Sequence, residues 1–161
     1  MGFRLALLTI FLLLACGGAA VSGPRVGTPL PNVATVGVDR LPASLAEVTR
    51  GRPALVALWA TWCTSCEKEL AALDRLQTEV GSKGLVVGVA VGEPYDKVLG
   101  YLRSRGLRYA QLIDEEFALA DALGTKRVPT TLVVGKDGTV RYAGGGLDRE
   151  ALEVFRRALA E

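Results

Sequence analysis

The stretch Ala54-Leu55-Val56-Ala57-Leu58-Trp59-Ala60-Thr61-Trp62-Cys63-Thr64-Ser65-Cys66 decides how the chain is read. Residues 54 to 60 are apolar throughout, the pattern of a strand buried on both faces. From about Thr64 to Val80 a helical pattern follows, and Gly81 and Gly84 stop it. Two cysteines three apart therefore sit where a buried strand hands over to a helix. Unsatisfied backbone N–H groups and the helix dipole favour a thiolate there. Cys63, nearer the tip, is expected to be the exposed attacking sulfur. Cys66, one turn in, is expected to be the shielded resolving sulfur. Moving a thiol from its ordinary pKa of about 8.5 to near 7 takes about 2 kcal/mol. A helix terminus supplies ~0.3–1 kcal/mol, so hydrogen bonds to the sulfur must provide the rest.

Composition narrows the alternatives. The chain has 161 residues, about one domain, with half of them hydrophobic and 22% charged, which argues against disorder. Nineteen basic against seventeen acidic residues leave +2, too small a field to hold nucleic acid. Histidine is absent, which removes Ser-His-Asp triads, Cys-His pairs, His-ligated haem and imidazole-bound zinc. The cysteine pair also admits two inert readings, a structural disulfide or half of a zinc site. A staple across so short a loop constrains the unfolded chain little, and structural zinc takes four ligands where two thiolates are on offer. Redox chemistry is the expectation, with the Cys63–Cys66 disulfide as the redox group and no metal or other cofactor.

Glu69 is the second clue. Cys66, Glu69, Leu70 and Leu73 stand at i, i+3, i+4 and i+7, one face of a helix whose leucines mark it as core. A carboxyl on that face points in beside the buried sulfur, where burial raises its pKa, and it can take the proton from Cys66 during resolution. The alternatives are a Glu bent out to solvent or paired with a Lys or Arg. The third clue is Pro129, which in Val128-Pro129-Thr130 stands at the entry to an apolar strand, where it cannot donate to a ladder. Only about 5–6% of X–Pro bonds are cis, so these residues alone give trans.

Around this centre, strand and helix signals alternate. Val33 to Val38 reads as a weak edge strand, and Leu85 to Val91 as a second buried strand. Pro94 opens a helix that Gly106 ends, with Val98, Tyr101, Leu102 and Arg105 along one side. Tyr109 to Ile113 reads as a short strand, followed by a short helix to Leu123. Thr130–Val134 and Thr139–Ala143 flank Lys136-Asp137-Gly138, whose Asp-Gly marks a hairpin. Asp148 is the expected N-cap of a last helix with Ala151, Leu152, Phe155 and Leu159 on its apolar side. A β-α-β half followed by a β-β-α half implies an α/β fold, a mixed sheet with helices on both faces.

The N-terminus reads as an address. Arg4 precedes an apolar run from Leu5 to Ala15 that rises about 16 Å as helix, roughly half a bilayer core. A basic start, a short apolar run and small residues make residues 1–15 a secretory signal. Leu13-Leu14-Ala15-Cys16 followed by Gly17-Gly18 resembles the bacterial lipoprotein signal, which implies lipidation of Cys16; ordinary cleavage after Ala20 is the rival. Either removes the odd thiol and leaves an even pair. Residues 16–31, rich in Gly, Ala, Ser and Pro, are expected to be a flexible tether spanning roughly 20–25 Å, with the domain at 32–161.

Ala60-Thr61-Trp62-Cys63-Thr64-Ser65-Cys66, Glu69, Val128-Pro129-Thr130-Thr131 and Lys136-Asp137-Gly138, in that order, resemble the thioredoxin superfamily. Within it they are similar to the TlpA/ResA-like membrane-tethered thiol–disulfide oxidoreductases. The resemblance covers about residues 27 to 161 and implies a thioredoxin fold with an N-terminal strand extension. It implies that Pro129 is cis beside the disulfide and that the Val128 backbone pairs with an extended substrate. Glu69 matches the family's buried carboxylate, and Ala57 stands where cytosolic thioredoxins carry a buried Asp. Glu93 to Tyr109 matches the element this family inserts after the second core strand. Thr64-Ser65 departs from the Gly-Pro of thioredoxins, which bears on the reduction potential. A shallow, largely apolar client groove is expected, with Trp62 and Val128 at its rim. The resemblance further implies exported clients such as apocytochromes c, a membrane thiol transporter as electron source, and residence on the extracytoplasmic side of a membrane. The alternatives are a disulfide-donating oxidase or isomerase, and an extracytoplasmic binding module without catalysis.

Overall fold

The computed structural model describes residues 23–161. The signal, Cys16 and the first part of the tether lie outside the described residues. Seven strands form one sheet: β1 (Ala34–Gly37), β2 (Pro42–Ser44), β3 (Ala54–Trp59), β4 (Leu85–Val91), β5 (Ala110–Asp114), β6 (Thr130–Val134) and β7 (Val140–Gly144). Their order is β2-β1-β5-β4-β3-β6-β7. β3, β4 and β5 run parallel, and the other neighbours are antiparallel. The helices are α1 (Leu45–Val48), α2 (Thr64–Val80), α3 (Tyr95–Arg105), α4 (Ala118–Ala122) and α5 (Arg149–Ala160).

The apolar run of β3 is shared between two faces, because successive side chains alternate. Ala54, Val56 and Leu58 join Val87 and Val89 of β4 and Leu132 of β6 under Leu45 of α1 and Leu119 of α4. Leu55 and Ala57 turn the other way, onto Leu73 of α2 and Phe155 of α5. Trp59 continues that second face beneath α3, where Val98 and Leu102 close the core. The expected mixed sheet with helices on both faces is thus observed, and the expected insert is α3 with its flanking loops.

Two expectations need correction at the N-terminal side. Val33 to Val38 is not an edge strand: β1 pairs with β5 on one side and β2 on the other. The true edge is β2, three residues that begin with Pro42, and proline is tolerated at an edge because no neighbour needs its missing donor. The β1–β2 turn places Arg40 at φ 65° and is closed by Gly37 N–H to Leu41 O at 2.9 Å. The tether also ends sooner than residue 31. Gly27 N–H donates to Val140 O, Val140 N–H to Thr28 O and Leu30 N–H to Gly138 O, and the Leu30 side chain is buried. These bonds satisfy backbone groups along the outer edge of β7 and bind the stem to the sheet.

Candidate active site

The strand-to-helix bend builds the centre. Cys63 N–H donates to Ala60 O at 3.1 Å, closing a turn that sets Cys63 as the N-cap of α2. Its Sγ accepts the Cys66 backbone N–H at 3.2 Å and lies 3.4 Å from Ser65 Oγ. Cys63 and Cys66 form a disulfide with Cα atoms 5.2 Å apart. These are local hydrogen bonds of the kind that must add to the helix dipole at this sulfur. Cys63 is not exposed as expected. It is 6% accessible against 2% for Cys66, so the order is kept but both are covered. The tip is occupied instead by Trp62, 67% accessible, and by exposed Thr64 and Ser65.

Glu69 is half-buried, one turn beyond Cys66. Burial pushes its carboxyl above the usual carboxylate range, the Leu147 backbone hydrogen bond opposes this, and the Asp148 carboxylate adds to the rise. None of these influences is a basic side chain, and on balance the site disfavours its charge. Ala57 is buried opposite Thr131 in the β3–β6 register, so this sheet position carries no acid.

The Val128–Pro129 bond is cis. Half-buried Val128 packs against the cluster that holds both cysteines. Thr125 Oγ1 accepts the Arg127 N–H at 3.2 Å and Thr130 Oγ1 donates to Arg127 O at 2.8 Å, bracing the loop from both ends. A groove of about 480 Å³ runs from Val128 and Pro129 past Gly144 to the Gly23–Pro24 stem. It is less apolar than expected, since Thr125, Arg127 and Thr130 line it, and Trp62 is not part of its wall.

Sequence reasoning missed Glu93. It follows β4, is 4% accessible, and accepts the Thr61 backbone N–H and the Thr61 hydroxyl, each at 2.5 Å. Lys97 Nζ lies 2.6 Å from its Oε1. Burial works against its charge, but Lys97 and the Thr61 donors outweigh it and hold the carboxyl below its ordinary range. The available signal was an acid ending an apolar strand with a lysine four residues on, a spacing that pairs charges on a helix.

A mixed seven-stranded sheet, a CxxC disulfide in the first turn of α2 and a cis proline after Val128, which packs on the cysteine cluster, define a thioredoxin-like protein. The chain belongs to the AhpC/TSA family, whose model matches residues 26–143. It is 28% identical over 107 residues to thiol-disulfide oxidoreductase ResA of Halalkalibacterium halodurans, covering 65% of this chain and 61% of the relative. It is 30% identical over 125 residues to thiol:disulfide interchange protein DsbE of Escherichia coli, covering 75% of this chain and 65% of the relative. The chain thus spans just under two thirds of these relatives. A solved thiol:disulfide interchange protein DsbE from Chlorobium tepidum shares the fold, with TM-score 0.75 at 23% identity over 84% of this chain and 99% of that one.

Proposed function

We propose that the chain is a thiol–disulfide oxidoreductase of the ResA/DsbE type that acts on exported proteins. The observation that carries this reading is the Cys63–Cys66 disulfide at the N-terminus of α2, with donors on the Cys63 sulfur and a raised carboxyl at Glu69. In the reduced protein the Cys63 thiolate attacks a client disulfide and expels one client thiolate, giving a mixed disulfide. The Cys66 thiol, deprotonated by Glu69, attacks Cys63 Sγ and releases the second client thiolate. The client gains two electrons and the protein ends with the Cys63–Cys66 bond. Val128 offers its backbone to the client chain, and the groove beside Pro129 seats the segment flanking the client cysteine.

The clients are exported proteins whose thiols must stay reduced, apocytochromes c among them, and a membrane thiol transporter returns the electrons. Lipidation at Cys16 holds the domain at the extracytoplasmic face of the membrane; two acyl chains suffice at ~0.8 kcal/mol per buried methylene. Among the described residues no helix is long and apolar enough to cross a membrane. The names and identities of the ResA and DsbE relatives support the reading.

Trapping tests it. A Cys66→Ser variant expressed in cells is expected to accumulate mixed disulfides with exported proteins, and their absence would leave only a binding module. A potential near that of thioredoxin, about −270 mV, supports a reductant, whereas one near −120 mV reverses the flux. Intact-mass analysis of membrane extracts is expected to find acyl mass on Cys16; a soluble chain beginning at Val21 would refute the anchor.

A further inference from the structure

We infer that Glu93 is a positioning residue of the redox centre: its carboxylate grips Thr61 through both its backbone N–H and its hydroxyl and so fixes the bend that presents Cys63. The inference rests on the thiol-exchange reading above and adds to it a residue outside the CxxC helix.

Three polar links join the segment after β4 to the strand-to-helix unit, and they differ in kind. Arg105 pairs with Glu67 in the first turn of α2, and both are exposed. Arg108 reaches Asp74 further along the same helix, its backbone N–H donating at 2.8 Å, with the guanidinium almost fully in water. Exposed pairs of this sort contribute little. Glu93 is the buried one. Its two oxygens take separate donors from one residue, Thr61 N–H on Oε2 and Thr61 Oγ1–H on Oε1, and Lys97 closes the outer side. Thr61 lies inside the Ala60–Cys63 turn, whose closing bond makes Cys63 the N-cap. Freed from Glu93, the Thr61 peptide can rotate and carry the Cys63 Sγ away from the Cys66 N–H and Ser65 Oγ. Those two groups are the ones positioned to hold a Cys63 thiolate. A carboxylate that only stabilised the fold would leave the reactivity of Cys63 untouched.

The test separates geometry from charge. In Glu93→Gln the amide oxygen can still accept the Thr61 N–H and the amide NH₂ can donate to Thr61 Oγ1, while the pairing with Lys97 is lost. Alkylation of Cys63 by iodoacetamide is followed by mass spectrometry on the reduced mature chain, between about pH 5 and pH 9. Glu93→Ala is expected to slow alkylation about tenfold at neutral pH and move the profile to higher pH, with Glu93→Gln within about twofold of the unsubstituted protein. An unchanged profile in Glu93→Ala, or Glu93→Gln as slow as Glu93→Ala, overturns the inference. Should Glu93→Ala fail to fold, Thr61→Val removes the hydroxyl bond from the other partner. About threefold slowing is then expected, and no change overturns the inference. Failure of the unsubstituted protein to exchange with any disulfide would instead remove the thiol-exchange reading itself.

Discussion

Glu69 rests against Gly146, in the loop after β7: a methyl group on Gly146 would stand 2.8 Å from Glu69 Oε1 and 3.5 Å from Pro129 Cγ. The carboxylate and the proline ring therefore meet over a position that has no side chain. Gly146 is also held at φ +146°, where L residues are strained. Gly146→Ala is expected to lower stability by about 1–3 kcal/mol and to push the Glu69 carboxylate from its place. Urea unfolding gives the first effect. The second appears as slower mixed-disulfide resolution, in the same direction as Glu69→Gln; resolution at the unsubstituted rate would place Glu69 outside the reaction.

Glu69 itself has a pH signature. Its pKa is raised in the folded protein, chiefly by burial, so over the window between its ordinary value and the raised one the native state holds more protons than the unfolded chain. Stability then falls as pH rises through that window, the opposite of a salt-bridged carboxylate. Glu69→Gln carries no such loss, so its melting temperature relative to the unsubstituted protein is expected to rise from pH 4 to pH 8. The same variant is expected to slow release of the mixed disulfide and shift the thiol titrations. Resolution rates identical across pH 5 to 9 would reject proton transfer by Glu69.

What was legible in the sequence shares a cause. β4 at Leu85–Val91 and α2 at Thr64–Val80 have the limits that their apolar patterns and the bounding glycines give. Local chemistry fixes such elements: continuous apolar runs, an N-cap at Asp148, an Asp-Gly turn with Gly138 at φ +78°. What stayed hidden is held by distant partners. β2 is a three-residue strand that exists because β1 pairs with it, and Gly27 to Leu30 are ordered by Gly138 and Val140, more than a hundred residues away. Glu93 is the same case within the site, since nothing near it in sequence announces Thr61, thirty-two residues earlier. Cys63 is a related case: an N-cap next to a helix tip is covered or bare according to what packs on it, and Cys63 lies in the buried cluster against which Val128 packs.

Asp148 joins the last helix to the sheet. It accepts the Ala151 N–H at 2.8 Å as N-cap of α5 and the Tyr142 hydroxyl at 2.6 Å from β7. The Ala151 hydrogen bond first, then that from Tyr142, hold its carboxyl below the usual range. A depressed carboxyl contributes stability above its unfolded pKa and loses it as pH falls through the folded one. Asp148→Ala is expected to cost about 1 kcal/mol near neutral pH, with the difference closing in acid. Tyr142, pushed up to about 12 by burial and by Asp148, is expected to titrate lower in the variant, which ultraviolet absorbance would follow. A pH-independent difference would rule out the charged cap as the cause.

Gly88 shows how closely the second face of the sheet is packed beneath the redox centre. It lies in β4 between Ala57 and Gln111, and a methyl group there would fall 2.1 Å from Gln111 Oε1. That oxygen accepts the Trp59 indole N–H at 3.1 Å, and Trp59 is buried in the same cluster as Cys63 and Cys66. Gly88→Ala therefore forces Gln111 aside and strips a buried donor of its partner. Overpacking costs about 1–3 kcal/mol and an unsatisfied buried N–H a similar amount, so a loss of about 2–4 kcal/mol is expected in urea unfolding. Since both costs pass through Gln111, adding Gln111→Ala to Gly88→Ala is expected to cost less than the two single losses combined. Strict additivity would mean that the glycine is not there to make room for the glutamine.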